Sequence, residues 1–177
     1  MSTSTIEARL SNVRDRIGSL RARLHADGRA ERSRIERHLD ALHEEEESLR
    51  ASARTAPDEV EERLGRLRTR LEVAEHALTA DSSGDWATFA GAVEAELRSW
   101  DTYLERLQAT AASRAWKARE QAEMAIGNVR SSRIAVDERL AEARQADGDE
   151  LQRRTAWVSV ARDELEHKAD ELSATLR

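Results

Sequence analysis

The chain has 177 residues, of which 36% are charged and 3% aromatic, with one proline and seven glycines, a composition typical of long helices that leaves little material for strands. Its 29 basic and 35 acidic residues give a net charge of −6 at pH 7, which disfavours general nucleic-acid binding because phosphate backbones repel an acidic surface. The absence of cysteine excludes disulfides, thiolate metal sites and cysteine nucleophiles.

The chain shows no signal for membrane insertion or export. No apolar run approaches the roughly 18 residues that a membrane span needs. The N-terminal stretch MSTSTIEARL lacks the basic-then-apolar layout of a signal peptide. We therefore expect a cytoplasmic protein without a transmembrane segment.

Apolar residues recur every three or four positions along the first part of the chain, which predicts amphipathic helices. We place these helices at about 4–25, 30–54 and 57–80. The third has the clearest start, because Pro57 fits the first turn of a helix and Thr55 is a suitable N-cap.

The segment 25–34 leaves two alternatives open. Gly28 can end one helix, and Ser33 with Glu36 can start the next as a capping box, which would allow a four-helix up-down bundle. Leu24 and Ile35, however, lie eleven positions apart and stay in phase. One continuous helix would also place them so, and its N-terminal half would then need a partner chain.

The second half of the chain carries one uninterrupted apolar stripe from Trp86 to Leu140, without proline or double glycine. Many members of the stripe repeat eleven residues apart, a period that keeps them on one face of a nearly straight helix. We therefore predict one very long helix over about 85–146. The stretch QADGDEL then predicts a turn into an antiparallel C-terminal helix.

These patterns predict an all-α fold: an elongated antiparallel helical bundle or coiled coil with one very long helix and a projecting C-terminal helical hairpin. Residues 1–110 are expected to form the bundle, with 85–110 as its fourth helix. Residues 111–177 are expected to form the hairpin, continuous with the long helix.

The stretch RHLDALHEEEE holds the densest group of potential metal ligands and acid/base residues. At about 100° per residue, His38 and His43 fall on opposite flanks of the apolar stripe and cannot readily bind one ion. Glu46 lies on the stripe itself, where a buried charge needs a partner. We predict a structural ion pair with Arg63, or alternatively Arg66, on the helix that follows Pro57.

Other chemical motifs are incomplete or missing. Glu164 and His167 match the Glu-x-x-His pattern of carboxylate-bridged metal bundles, but that site needs two copies facing inward, and here Leu165 is the inward residue. Phosphate-binding glycine motifs and a nucleophile elbow are absent. The sequence thus predicts no catalytic, cofactor-binding or metal-binding residue and a protein that is not an enzyme.

Four large apolar residues of the C-terminal part lie away from the core stripes of their helices: Trp116, Ile134, Trp157 and Val160. Antiparallel pairing around Gly148 would bring Ile134 to the level of Val160, so a second apolar patch is expected on the hairpin. A large exposed apolar patch usually marks a partner surface, unless another segment of the chain covers it. We predict these four as partner-binding residues.

The leading functional hypothesis is a non-catalytic helical scaffold, adaptor or assembly protein that acts through helix–helix contacts, with a homodimer as the first partnership. The alternative is a protein whose amphipathic helices lie on a lipid or granule surface, a pattern similar to that of phasins and exchangeable apolipoproteins. The regular proline-punctuated repeats of apolipoproteins are missing. Neither hypothesis requires a cofactor.

Overall fold

A computed structural model of the chain describes residues 3–26, 32–53, 55–112 and 116–175. These residues form six helices and no strand, which confirms the all-α class. None of the described helices is long and apolar enough to cross a bilayer. The helices are α1 (Thr3–Ala26), α2 (Arg32–Ser52), α3 (Pro57–Asp81), α4 (Trp86–Ala112), α5 (Trp116–Ala143) and α6 (Gly148–Thr175).

The chain divides into two compact units, Met1–Tyr103 and Leu104–Arg177, and the boundary falls inside α4. In the first unit, α1, α2 and α3 share one apolar core because each helix turns its heptad stripe inward. The core residues are Ile6, Leu10, Val13, Ile17, Leu20 and Leu24 of α1; Ile35, Leu39, Leu42 and Leu49 of α2, with Ala53 directly after it; and Val60, Leu64, Leu67, Leu71, Ala74 and Leu78 of α3.

Ion pairs show that α1 and α2 are antiparallel neighbours. Arg21 Nη2 lies 2.6 Å from Asp40 Oδ1, and Arg14 Nη2 lies 3.1 Å from Glu46 Oε2. In one straight helix, residues 21 and 40 would be about 28 Å apart. The contacts therefore show that α1 and α2 are two helices packed side by side and not two parts of one straight helix. Gly28 itself lies outside the described residues, as does the side chain of Ser33.

The start of α3 follows the prediction in position but not in its cap. Pro57 occupies the first turn, and the N-cap is Ala56, whose side chain makes no capping hydrogen bond. The Thr55 hydroxyl donates instead to the Ser52 carbonyl oxygen at 3.2 Å. The fixed φ of proline suits the first turn of a helix, so this boundary does not depend on a side-chain cap.

The first part of α4 completes the first unit. Its N-terminus is capped by Asp85, whose carboxylate accepts hydrogen bonds from the Thr88 backbone N–H at 2.9 Å and the Thr88 hydroxyl at 2.7 Å. These bonds lower the pKa of the Asp85 carboxyl, the backbone N–H most strongly. Further along, the buried Arg70 guanidinium of α3 lies 5.9 Å from the centre of the Tyr103 ring. This cation–π contact ties α4 to α3.

The very long helix predicted for 85–146 is not evident. α4 ends at Ala112 and α5 begins at Trp116, and the longest described helices have 28 residues. Arg130 Nη2 donates a hydrogen bond to Gln108 Oε1 at 2.6 Å across 22 positions, which would be about 33 Å in one straight helix. The C-terminal hairpin is therefore not continuous with α4. The sequence pattern did not predict the reversal of direction between α4 and α5, because the alanine-rich stripe keeps the same helical phase in both helices.

In the second unit, α5 and α6 form an antiparallel hairpin. Its core contains Ala122, Ile126, Val129, Val136, Leu140, Val158, Leu165, Ala169 and Leu172, together with the buried side chain of Arg162. Near the turn, Arg154 Nη1 lies 3.7 Å from Glu142 Oε2. α6 begins at Gly148, which has a φ of 50°. Side chains other than glycine rarely adopt this left-handed conformation, so the turn requires glycine there.

Candidate interaction surface on the α5–α6 hairpin

The exposed large apolar side chains of the described residues all lie on the hairpin: Met124, Ile134, Trp157 and Val160. In the first unit, the described large apolar side chains are buried or only partly accessible. Single exposed apolar residues are common on protein surfaces, whereas adjacent ones mark contact sites. The positions of these four residues relative to one another therefore decide whether the hairpin carries a surface for a partner.

Trp157 and Val160 are neighbours on α6. They lie three positions apart, one turn along the helix, with 49% and 65% of their surface exposed. Both point away from the core line through Val158 and Leu165. The Arg139 guanidinium of α5 lies 5.8 Å from the centre of the Trp157 ring. The indole is therefore flanked by a cation on the side of α5 and remains about half exposed.

Ile134 lies on a different side of the hairpin. The Arg139 contact shows which edge of α5 faces Trp157, and Ile134 is five positions from Arg139, or about 140° around the helix. Ile134 is exposed but is not brought together with Trp157. The fourth predicted residue, Trp116, begins α5, and its side chain lies outside the described residues. The predicted patch is thus reduced to the pair Trp157 and Val160.

Met124 was not singled out from the sequence, although 63% of its surface is exposed. Its position on α5 is the signal that could have identified it. Ala122 and Ile126 are both buried, and Met124 lies about 200° from each of them around the helix. It therefore belongs to the outer side of α5.

Trp157 and Val160 belong to a longer stripe with alternating spacings of three and four along α6, which we name the α6 outer stripe. Its members are Glu150, Arg153, Trp157, Val160, Glu164, His167 and Glu171. All are exposed except Glu150, which is partly accessible. This spacing is the a/d pattern of a coiled-coil seam, here with two apolar residues at the centre and charged residues on both sides.

Local ion pairs organise the ends of the α6 outer stripe. Glu150 pairs with Arg154 Nε at 2.6 Å and with Arg153 Nη2 at 2.6 Å. The Arg154 hydrogen bond, followed by the charge of Arg153, lowers the pKa of the Glu150 carboxyl. At the other end, His167 Nε2 lies 3.4 Å from Glu171 Oε1. The side chains of Arg153 and His167 are 67% and 71% exposed, so their ion pairs can rearrange at little cost. The pair between Arg154 and Glu150 is partly buried.

The structure gives Glu46 other partners than the predicted Arg63. Its fully buried carboxylate accepts a hydrogen bond from Arg14 Nε of α1 at 3.2 Å. Arg50 Nη2 lies 2.7 Å from Oε1 and forms an ion pair with it. This contact lacks the geometry of a hydrogen bond, since Oε1 has no hydrogen-bond partner. Arg63 donates to the Ser48 hydroxyl at 3.4 Å, and Arg66 pairs with Glu62. Arg63 and Arg66 belong to α3, whereas α1, which also runs beside α2, supplies Arg14.

The two histidines of α2, His38 and His43, lie in different surroundings. His38 is buried, while His43 is partly accessible and lies 3.5 Å from Glu47 Oε1. On α6, Glu164 and His167 both face outward. Among the residues that the structure describes, no three His, Asp or Glu side chains converge in a way that could hold a metal ion.

Comparison with known proteins gives no relative, since the chain matches no protein-family model, no curated protein and no solved structure. The functional interpretation of the hairpin therefore rests on its own residues.

Proposed function

We propose that the chain is a non-catalytic helical scaffold or assembly protein that associates through helix–helix contacts of the α5–α6 hairpin, with a second copy of itself as the first partner. One observation carries this proposal: the exposed large apolar side chains of the described residues are confined to the hairpin, and Trp157 adjoins Val160. Tryptophan is enriched among the residues that dominate binding energy at protein interfaces.

The exposed area sets the expected strength of association. Trp157 and Val160 together expose about 200 Å² of largely apolar surface per copy, which corresponds to roughly 5 kcal/mol if fully buried. A symmetric dimer buries this area twice, and association costs several kcal/mol in lost freedom of motion. The remainder corresponds to a dissociation constant on the order of 0.1 mM. The proposal therefore concerns a weak, concentration-dependent contact.

Sedimentation equilibrium of the full chain tests the proposal, with concentrations from about 1 µM to about 0.5 mM. The double variant Trp157→Ala/Val160→Ser should weaken self-association at least about tenfold, since it removes both central apolar side chains. Ile134→Ser is the matched control, because it removes an exposed apolar side chain of the same hairpin from another side. Equal loss in both variants, or a chain that stays monomeric throughout, would contradict the proposal.

Flotation with neutral and anionic lipid vesicles tests the alternative of a lipid surface. We expect the protein to remain with the unbound fraction, because α1, α2 and α3 turn their apolar stripes into a shared core. Binding to vesicles that requires Trp157 would instead assign the exposed pair to a lipid surface.

A further inference from the structure

The α6 outer stripe is complementary to itself when a second copy is placed against it in the antiparallel direction. We propose that two chains associate along α6 around a two-fold axis that passes between Trp157 and Val160. This inference rests on the proposed function, and it adds the identity of the partner surface, the direction of the helices and their register.

The register follows from the spacing of the stripe. With the axis between residues 157 and 160, Trp157 of one copy lies opposite Val160 of the other, and Arg153 lies opposite Glu164. One layer further out, Glu150 lies opposite His167, whose imidazole N–H can donate a hydrogen bond to a carboxylate. Antiparallel coiled coils form such layers from an a position and a d position. Each layer beside the apolar centre thus joins a carboxylate to a group that complements it.

The parallel arrangement lacks this complementarity. It would place Arg153 against Arg153 and Glu164 against Glu164 at the two sides of the apolar centre, and like charges so placed repel. A shift of the antiparallel register by one heptad is equally unfavourable. It places Trp157 opposite Arg153 or His167 and Val160 opposite Glu150 or Glu164, which leaves the apolar centre unpaired. The charge pattern thus favours one direction and one register.

The local contacts of the free chain permit this association. Arg153 is 67% exposed and bound to Glu150 on the same helix, so it can turn to a second copy by exchanging one exposed ion pair for another. Arg139 can remain against the Trp157 ring, where it would lie at the rim of the interface. Charged residues at the rim help to exclude water from an apolar centre.

Site-specific crosslinking tests the register, since the chain has no cysteine of its own. The variants Arg153→Cys and Glu164→Cys, one of them carrying a size tag, are oxidised separately and as an equal mixture with copper phenanthroline. The mixture should give the heterodimeric disulfide, because the two positions face each other. Each variant alone should give little, because its own cysteines would be offset by about 16 Å along the axis.

Charge reversal tests the same pairs without crosslinking. Arg153→Glu should weaken dimerisation at least about tenfold because it turns both symmetric pairs into repulsions, and adding Glu164→Arg should restore it to within about threefold. Glu138→Arg on α5 is the control, an exposed residue off the α6 outer stripe, and should have little effect.

The outcomes separate this inference from the proposed function. Dimers that depend on Trp157 but crosslink equally well through each single cysteine would overturn the antiparallel register and leave the hairpin as the contact surface. Dimers that do not depend on Trp157, or no dimers at all, would overturn both. Crosslinking confined to the mixture, together with rescue by the double charge reversal, supports both.

Discussion

Removing the arginine at the Glu46 ion pair should cost more stability than removing the glutamate. The Glu46 side chain is 0% exposed, whereas those of Arg14 and Arg50 are 42% and 40% exposed. Breaking a fully buried pair costs about 3–5 kcal/mol. Since Arg14 is partly in water and Arg50 remains, we expect Arg14→Met to cost about 2 kcal/mol. Glu46→Leu lets both arginines turn to water and fills an apolar position, so its effect should lie within about 1 kcal/mol of zero.

Urea unfolding of the first unit measures this difference. Replacing Trp116 and Trp157 by Phe leaves fluorescence from Trp86 and Trp100, which both belong to the first unit. A loss of about 2 kcal/mol should also lower the melting temperature by roughly 10 °C. Glu44→Leu, at an exposed position of the same helix, is the control and should change stability by less than about 0.5 kcal/mol. Equal destabilisation by Glu46→Leu and Arg14→Met would contradict this expectation.

Four further substitutions test single sites. In urea titrations, Gly127→Ala in α5 should stabilise the second unit by about 0.5–1 kcal/mol, because Gly127 is helical and has space for a methyl group. Gly148→Ala should destabilise the same unit by about 1 kcal/mol, because Gly148, unlike Gly127, has a positive φ. Asp81→Asn should lower the free energy of unfolding of the first unit by about 1–3 kcal/mol. It removes the negative charge from the largely buried ion pair in which Asp81 Oδ2 lies 2.7 Å from Arg34 Nη2. Asp85→Ala should lower the melting temperature near pH 7. Since capping lowers the pKa of this carboxyl, the stabilisation is present above about pH 4 and is lost as the pH falls through the lowered pKa, so the two melting curves should converge in acid.

The heptad pattern predicted the core of the first unit well, because a residue that recurs every three or four positions has one face to bury. The stripe from Ile6 to Leu24 is buried throughout, as is the stripe from Val60 to Leu78. For the same reason, the pattern identified Glu46 as a charged residue on the apolar stripe of α2. Its partner was not identified, because the stripe of one helix does not tell which of two neighbouring helices supplies the arginine.

Two features are harder to predict from sequence: the reversal of chain direction from α4 to α5, and the side of the hairpin on which an exposed residue lies. α4 and α5 carry stripes in the same phase, so the eleven-residue repeat is compatible with one helix or with two. Ile134 and Trp157 both lie off their core stripes, but periodicity within each helix cannot show that they face different sides of the pair. That distinction required the contact between Arg139 and Trp157.

Fluorine NMR of the full chain labelled with 5-fluorotryptophan tests the association through the hairpin most directly. Its four tryptophan signals can be assigned by single replacements with Phe. Between about 1 µM and about 0.5 mM, we predict that the Trp157 signal shifts progressively as its exposed surface becomes buried, while the signal of the fully buried Trp100 stays constant. A Trp157 signal that does not change over this range would contradict the account.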